Sequence, residues 1–302
     1  MKLYPLLLIL PFTFFAKTLT PNEVYSQAML LKTDVHYILN SYDVKHDDDI
    51  IEKRVYINAK LKPRNVYQKT YEIMIKANIL RQSHGFASIQ PVNIVPTLHL
   101  NPDLVYEQIQ RILTEFKIFE IRSDIKQKTF KARVFKNKTP MDVYNVLSAI
   151  SVALDELNGN KFTPSYVFAE NMRVFNDLTV ILNRLNIKDE TIPSKINKNA
   201  TPNDTFATGM KTLEKIKQLQ ILSGIDFVDF SAFQREESTP SEVFTVTQMI
   251  LAELQTLKAY LDIDEATTPA YKYEKVTPVE VDQLMNWNMR KLNLISNIVR
   301  GR

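Results

Sequence analysis

The chain has 302 residues, 45% of them hydrophobic and 24% charged, with a formal net charge of +4. That balance supports a packed core and excludes wholesale disorder, and so small a net charge selects no class of partner. Cysteine is absent, which rules out disulfides, thiolate metal sites and a cysteine nucleophile; 5 glycines, against a usual ~7%, leave little material for phosphate-cradling loops or a turn-rich all-β fold.

Residues 1–16 read as a secretory signal peptide: Lys2, a short apolar run, and Ala16 at the cleavage position, although Phe14 stands where a small residue is usual. The run is shorter than a helix needs to cross ~30 Å of hydrocarbon, and a retained N-terminal anchor is the alternative. Export without cysteine points to the periplasm, because extracellular eukaryotic proteins commonly carry disulfides.

The rest of the chain is a repeat. Thr20-Pro21-Asn22-Glu23-Val24-Tyr25 recurs as Thr139-Pro140-Met141-Asp142-Val143-Tyr144 and as Thr239-Pro240-Ser241-Glu242-Val243-Phe244. Five looser copies bring the prolines to 21, 63, 102, 140, 164, 202, 240 and 278, separated by 42, 39, 38, 24, 38, 38 and 38 residues. Each copy is a helix start. Threonine caps an orphan N–H, proline suits the first helical position, and an acid two residues beyond the N1+1 position (Glu23, Asp142, Asp204, Glu242, Glu280) closes a capping box or favours the helix dipole. Lys62 replaces threonine in the second copy, so that helix is expected to fray.

With each proline counted as zero, position 3 is valine in seven copies and Thr205 in the other, and positions 14 and 17 are apolar throughout. The 3, 7, 10, 14, 17 alternation marks helices packed along a seam. Position 22 is Asp43, Gly85, Asp124, Asn186, Gly224 or Asp262, each followed by an apolar residue. This is the signature of a Schellman stop, and it sets full helices of about 22 residues, roughly 33 Å long. Spacers of thirteen or more residues can run back the whole length of a helix, so successive helices are allowed to be parallel. Residues 55–61 and 129–135 alternate enough for short strands. Only 158–162 separate the fourth and fifth copies, which predicts a tight hairpin there.

The fold expectation is all-α: an eight-helix repeat array with long extended spacers, in two four-helix halves at 20–157 and 163–302. The aromatics at position 4, Tyr25 to Phe244, are expected to pack the first turn, and Trp287 to lie half-buried against the preceding helix. His46-Asp47-Asp48-Asp49 has the ligand types for a divalent cation, but no second cluster has matching spacing, so neither metal nor cofactor is expected.

One spacer stands out. Residues 126–138 carry Lys126, Lys128, Lys131, Arg133, Lys136 and Lys138 with no acid among them, and Phe130 and Phe135 interleave. In an exported protein such a run suits an acidic protein partner, or contact with a membrane surface or envelope glycan, rather than nucleic acid. Residues 226–237 are its opposite, with Asp226, Asp229, Glu236 and Glu237, and the two spacers are expected to be able to face each other. No nucleophile elbow, Walker loop, zinc-protease motif or dinucleotide fingerprint occurs. The functional expectation is a non-enzymatic periplasmic binding or scaffold protein acting through protein–protein contacts; the alternative is a small-molecule module with a pocket between the halves.

Overall fold

A computed structural model describes residues 19–47, 57–92, 94–159, 162–233 and 237–300. The signal segment 1–16, Asp48 and Asp49, Val55 and Tyr56, and Glu236 lie outside the described residues. These form eight helices and no strand: α1 Pro21–Ser41, α2 Pro63–Ser83, α3 Pro102–Arg122, α4 Pro140–Leu157, α5 Pro164–Arg184, α6 Pro202–Leu222, α7 Pro240–Tyr260 and α8 Pro278–Arg300. The strands allowed at 57–61 and 129–135 do not form; both segments are irregular chain laid along a helix.

Every helix begins at its repeat proline, and the caps work as the residue types require. The acids of the capping boxes accept the cap N–H groups: Glu23 from Thr20 at 3.0 Å, Asp142 from Thr139 at 2.8 Å, Asp204 from Thr201 at 2.8 Å, Glu242 from Thr239 at 2.6 Å and Glu280 from Thr277 at 2.7 Å. The stops are equally regular. All six residues at position 22 have positive φ, from 52° at Asp262 to 74° at Gly85, and the next N–H closes the six-residue loop, as from Ile225 to the Gln220 carbonyl at 2.8 Å. At α2 the expected fraying is not found. The Lys62 N–H is held by Asn65 at 2.9 Å, and Arg64, Asn65 and Val66 in the first turn are already buried.

The helices assemble as two rings of four. In the first, α1 packs on α4, α4 on α2, α2 on α3, and α3 on α1; in the second the same order holds for α5, α8, α6 and α7. The first ring is parallel. Pro21, Pro63, Pro102 and Pro140, with Val24, Val66, Val105 and Val143 one turn on, surround a single apolar hollow at one end. The second ring is parallel too, since Asn171 and Thr247, both at position 7, meet across α5 and α7. Aligned dipoles repel, and the first-turn acids Glu23, Asp103 and Asp142 offset this at the crowded end. The seam positions supply the cores, as with Val24, Leu31, Val35 and Ile38 of α1, each at most 3% exposed.

Parallel neighbours need long returns, and the spacers provide them by lying in the outer grooves. The segment after α3 follows α1 backwards: the Tyr37 hydroxyl donates to the Lys126 carbonyl at 2.6 Å, Phe130 packs edge-on against Tyr37, Phe135 against Tyr25, and the Lys138 N–H donates to Asn22 Oδ1 at 2.8 Å. From Tyr37 to Asn22 is about 22 Å of helix. The last bond is part of a stitch around the helix starts. The N–H two residues before a repeat proline donates to a short polar side chain at position 1 of a neighbouring helix: Leu19 to Asp103, Lys138 to Asn22, Ser238 to Asn203 and Val276 to Ser165.

The rings meet through α2 and α7, which run antiparallel. Arg64 at position 1 of α2 pairs with Glu253 at position 13 of α7, and Lys76 at position 13 of α2 reaches Ser241 at position 1 of α7. The short link between α4 and α5 therefore changes ring instead of forming a packed hairpin; α4 and α5 do not touch along their lengths. Their separation follows from α7, whose start fills the place beside α2 and α4.

Candidate functional site

Two places carry polar chemistry beyond what the fold requires. The first is the junction of the rings. The helix seams are apolar, yet the α2–α7 contact buries Arg64, Lys69, Glu72, Lys76, Glu170, Arg173 and Glu253, each at most 7% exposed. Glu72 sits at its centre, receiving Lys69 Nζ at 2.8 Å, the Ser151 hydroxyl at 2.5 Å and the Thr245 hydroxyl at 3.0 Å. Lys76 Nζ donates to Ser151 Oγ and Asp155 Oδ2, both at 2.7 Å. Burial pushes Glu72 up, but Lys69 and Lys76 beside it outweigh burial and hold it below its ordinary value, while burial lowers Lys69. On the far side, burial raises Glu170 despite Arg173 at 2.7 Å and Gln248 at 2.7 Å, and the Arg173 guanidinium stacks over the Tyr71 ring. Buried ion pairs are poor sources of stability compared with apolar packing, and perturbed ionisable groups concentrate at functional sites.

Beside this network lies a cleft of about 460 Å³ between the rings. Lys69 and Glu72 of α2, Ser148, Ser151 and Asp155 of α4, and the first turn of α7 line it, with the Phe162 and Phe233 rings at its sides. Ser148 Oγ and Asp155 Oδ1 are buried there with no hydrogen-bond partner.

The second place is the basic spacer. Lys126, Lys128, Lys131, Arg133 and Lys136 are exposed, and Lys138 is half-buried. Lys128 lies over the Tyr37 and Phe130 rings and Lys138 over Tyr25. Among the described residues, none of the six forms an ion pair. Val134 projects from the middle of the strip, 91% exposed. The acidic spacer does not face it: Asp226 pairs with Lys62 at 2.8 Å and Asp229 with Lys217 at 3.0 Å, both far around the second ring. The mismatch arises because each spacer is bound to its own groove by aromatic anchors, Phe233 on Phe206 here, before charge has any say.

The second ring contains the control for this strip. Residues 264–276 follow α5 as residues 126–138 follow α1. Tyr273 packs edge-on against Phe168 at 4.9 Å as Phe135 does against Tyr25 at 4.9 Å. Lys275 and Asn137 take the same left-handed turn, φ 59° and 57°, and the following N–H is stitched in both. That second spacer carries Asp264, Glu265, Glu274, Lys272 and Lys275, a mixed set. One structural task is thus done with balanced charge in one ring and with six cations in the other.

The remaining sequence candidates resolve simply. His46 donates to or accepts from Glu156 at 2.6 Å and packs on His36, and no cluster of metal-ligating side chains occurs among the described residues. Trp287 is half-buried, but against Phe175 of α5 and not against the preceding helix, with its N–H on the Thr191 hydroxyl. The position-4 aromatics pack the first turns, although Tyr67 also uses its hydroxyl, donating to the Val92 carbonyl and accepting from Gln108. The ionic junction was not legible in the sequence; the only signal was charge on seam-adjacent positions of α2, the helix with the poorest cap. No helix among the described residues is long and apolar enough to cross a membrane. Comparison of the chain with protein-family models, with curated proteins and with solved structures finds no match.

Proposed function

We propose that this is a non-enzymatic, exported binding protein that docks an acidic face of a protein partner on the strip 126–138. The observation that carries the reading is the internal comparison: the spacer along α5 performs the same packing with balanced charge, so the six unpaired cations along α1 are not needed by the fold. Phe130 and Phe135 turn inward and hold the strip flat, which presents the cations in one row. Five of the six are lysines, which act as point charges and favour a broadly acidic surface over a single bidentate anion. The inward aromatics leave no stacking platform for nucleic-acid bases. Export to the periplasm rests on the apolar leader and the absence of cysteine.

A photo-crosslinking residue placed at Val134, 91% exposed, tests this in cells. A discrete protein adduct from that position, and none from Tyr271, 67% exposed on the equivalent spacer, is the expected result. No adduct from Val134, or the same adducts from both, contradicts it.

A second reading, a small ligand held between the two rings, is favoured by the polar lining of the inter-ring cleft and by its unpartnered Ser148 hydroxyl.

A further inference from the structure

We propose that the inter-ring cleft binds a neutral, polyhydroxylated small molecule of sugar or sugar-alcohol type. The inference rests on the second reading above and gives it a ligand class. The volume, about 460 Å³, lies within the usual range of small-ligand pockets, about 300–1,000 Å³.

The charges of the wall are already matched. Lys69 is held by Glu72 at 2.8 Å, Lys76 by Asp155 at 2.7 Å, and Glu156 by His46 at 2.6 Å, while Glu242 is engaged by its helix cap at 2.6 Å. An ionic ligand would meet no unmatched charge among these groups and would still lose its own hydration. What the wall offers is hydroxyls and spare acceptor capacity. Ser148 is 5% exposed, and its hydroxyl has neither donor nor acceptor contact; the second carboxylate oxygen of Asp155 is equally unused. Native proteins rarely leave such atoms unpaired. A hydroxyl-bearing ligand can donate to Asp155 and both donate to and accept from Ser148, once a χ1 turn brings the serine to the cleft surface. The Phe162 and Phe233 rings give the apolar faces of a sugar ring something to lie against.

An unpaired buried hydroxyl burdens the empty protein, so the serine makes a prediction that a purely structural residue does not. Ser148→Ala leaves the melting temperature of the unliganded protein unchanged or raises it, and weakens ligand binding about tenfold or more. The experiment is isothermal titration of the full chain against a library of mono- and disaccharides and sugar alcohols, with spermidine and succinate as cationic and anionic probes. Saturable binding by a library member, weakened in Ser148→Ala and abolished when Val152→Trp fills the cleft, is the expected result. Binding of spermidine or succinate alone, abolished by Val152→Trp, overturns the ligand class and leaves the cleft reading standing. No saturable binding from any of the three classes, or binding indifferent to Val152→Trp, overturns both.

Discussion

The antiparallel junction of the two rings can be tested at Arg64 and Glu253. Arg64 donates to Glu253 through Nε at 3.1 Å and through a terminal nitrogen at 2.9 Å, and their side chains are 8% and 2% exposed. Glu253 also receives Asn65 and Gln220, each at 2.8 Å. Arg64→Met removes the one formal countercharge that touches this carboxylate and leaves it two amide donors. Breaking a buried pair from one side costs about 3–5 kcal/mol, whereas exchanging both partners for apolar residues is often close to neutral. The Arg64→Met/Glu253→Met double variant should therefore be more stable than Arg64→Met alone, with a coupling of about 2–3 kcal/mol. Urea denaturation of the wild type, both single variants and the double variant gives the cycle. Additive effects, or a cost below about 1 kcal/mol for Arg64→Met, would show that the pair is solvated and that α2 and α7 do not meet in this register.

Three further outcomes follow from local geometry. A Cβ on Gly209 would stand 2.5 Å from Val246 Cγ1 at the α6–α7 contact, so Gly209→Ala destabilises by about 1–3 kcal/mol despite its better helix propensity, and adding Val246→Ala restores part of the loss in thermal unfolding. Lys275 holds φ at 59°, where its counterpart is Asn137; Lys275→Asn raises stability by up to about 1 kcal/mol, since asparagine tolerates that region better, and a fall in melting temperature would contradict the equivalence of the two turns. Asp229 is held down to about 2, first by the Ser231 N–H and then by Lys217, from an ordinary 3.8. A value lower in the folded chain than in the unfolded one means stabilisation that is full above about pH 4 and lost as pH falls towards 2, so the stability curves of wild type and Asp229→Asn converge over that window; parallel curves would refute the assignment.

The amount of this structure legible in the sequence differs sharply between levels. Helix starts and stops were readable because capping is local chemistry: Thr139 and Asp142 lie three residues apart and satisfy each other, and Asp43 or Gly85 ends a helix through its own φ. The core was readable from the 3-4 spacing of residues such as Val35 and Ile38. Ring order was not, because any seam matches any other; what selects neighbours is contact between distant residues, such as the Lys138 N–H on Asn22. Position 1 did hold a clue, since Asn22, Asp103, Ser165 and Asn203 are all short and polar, and all four are used as acceptors. The ionic junction was hidden for the same reason: Glu72 and Thr245 are 173 residues apart in sequence. The basic strip was visible as composition, but its meaning depended on seeing that residues 264–276 do the same packing without it.

The central claim is that the cations of the strip serve a partner and not the fold. The direct test is one variant, Lys126→Gln/Lys128→Gln/Lys131→Gln/Arg133→Gln/Lys136→Gln, with Phe130 and Phe135 kept, measured both by thermal unfolding and by crosslinking from position 134 in cells. Exposed and unpaired, these residues contribute little to stability, so the account predicts a melting temperature within about 2 °C of wild type and loss of the adduct. A variant that melts far lower would make the charges structural, and one that keeps the adduct would separate the partner from the strip.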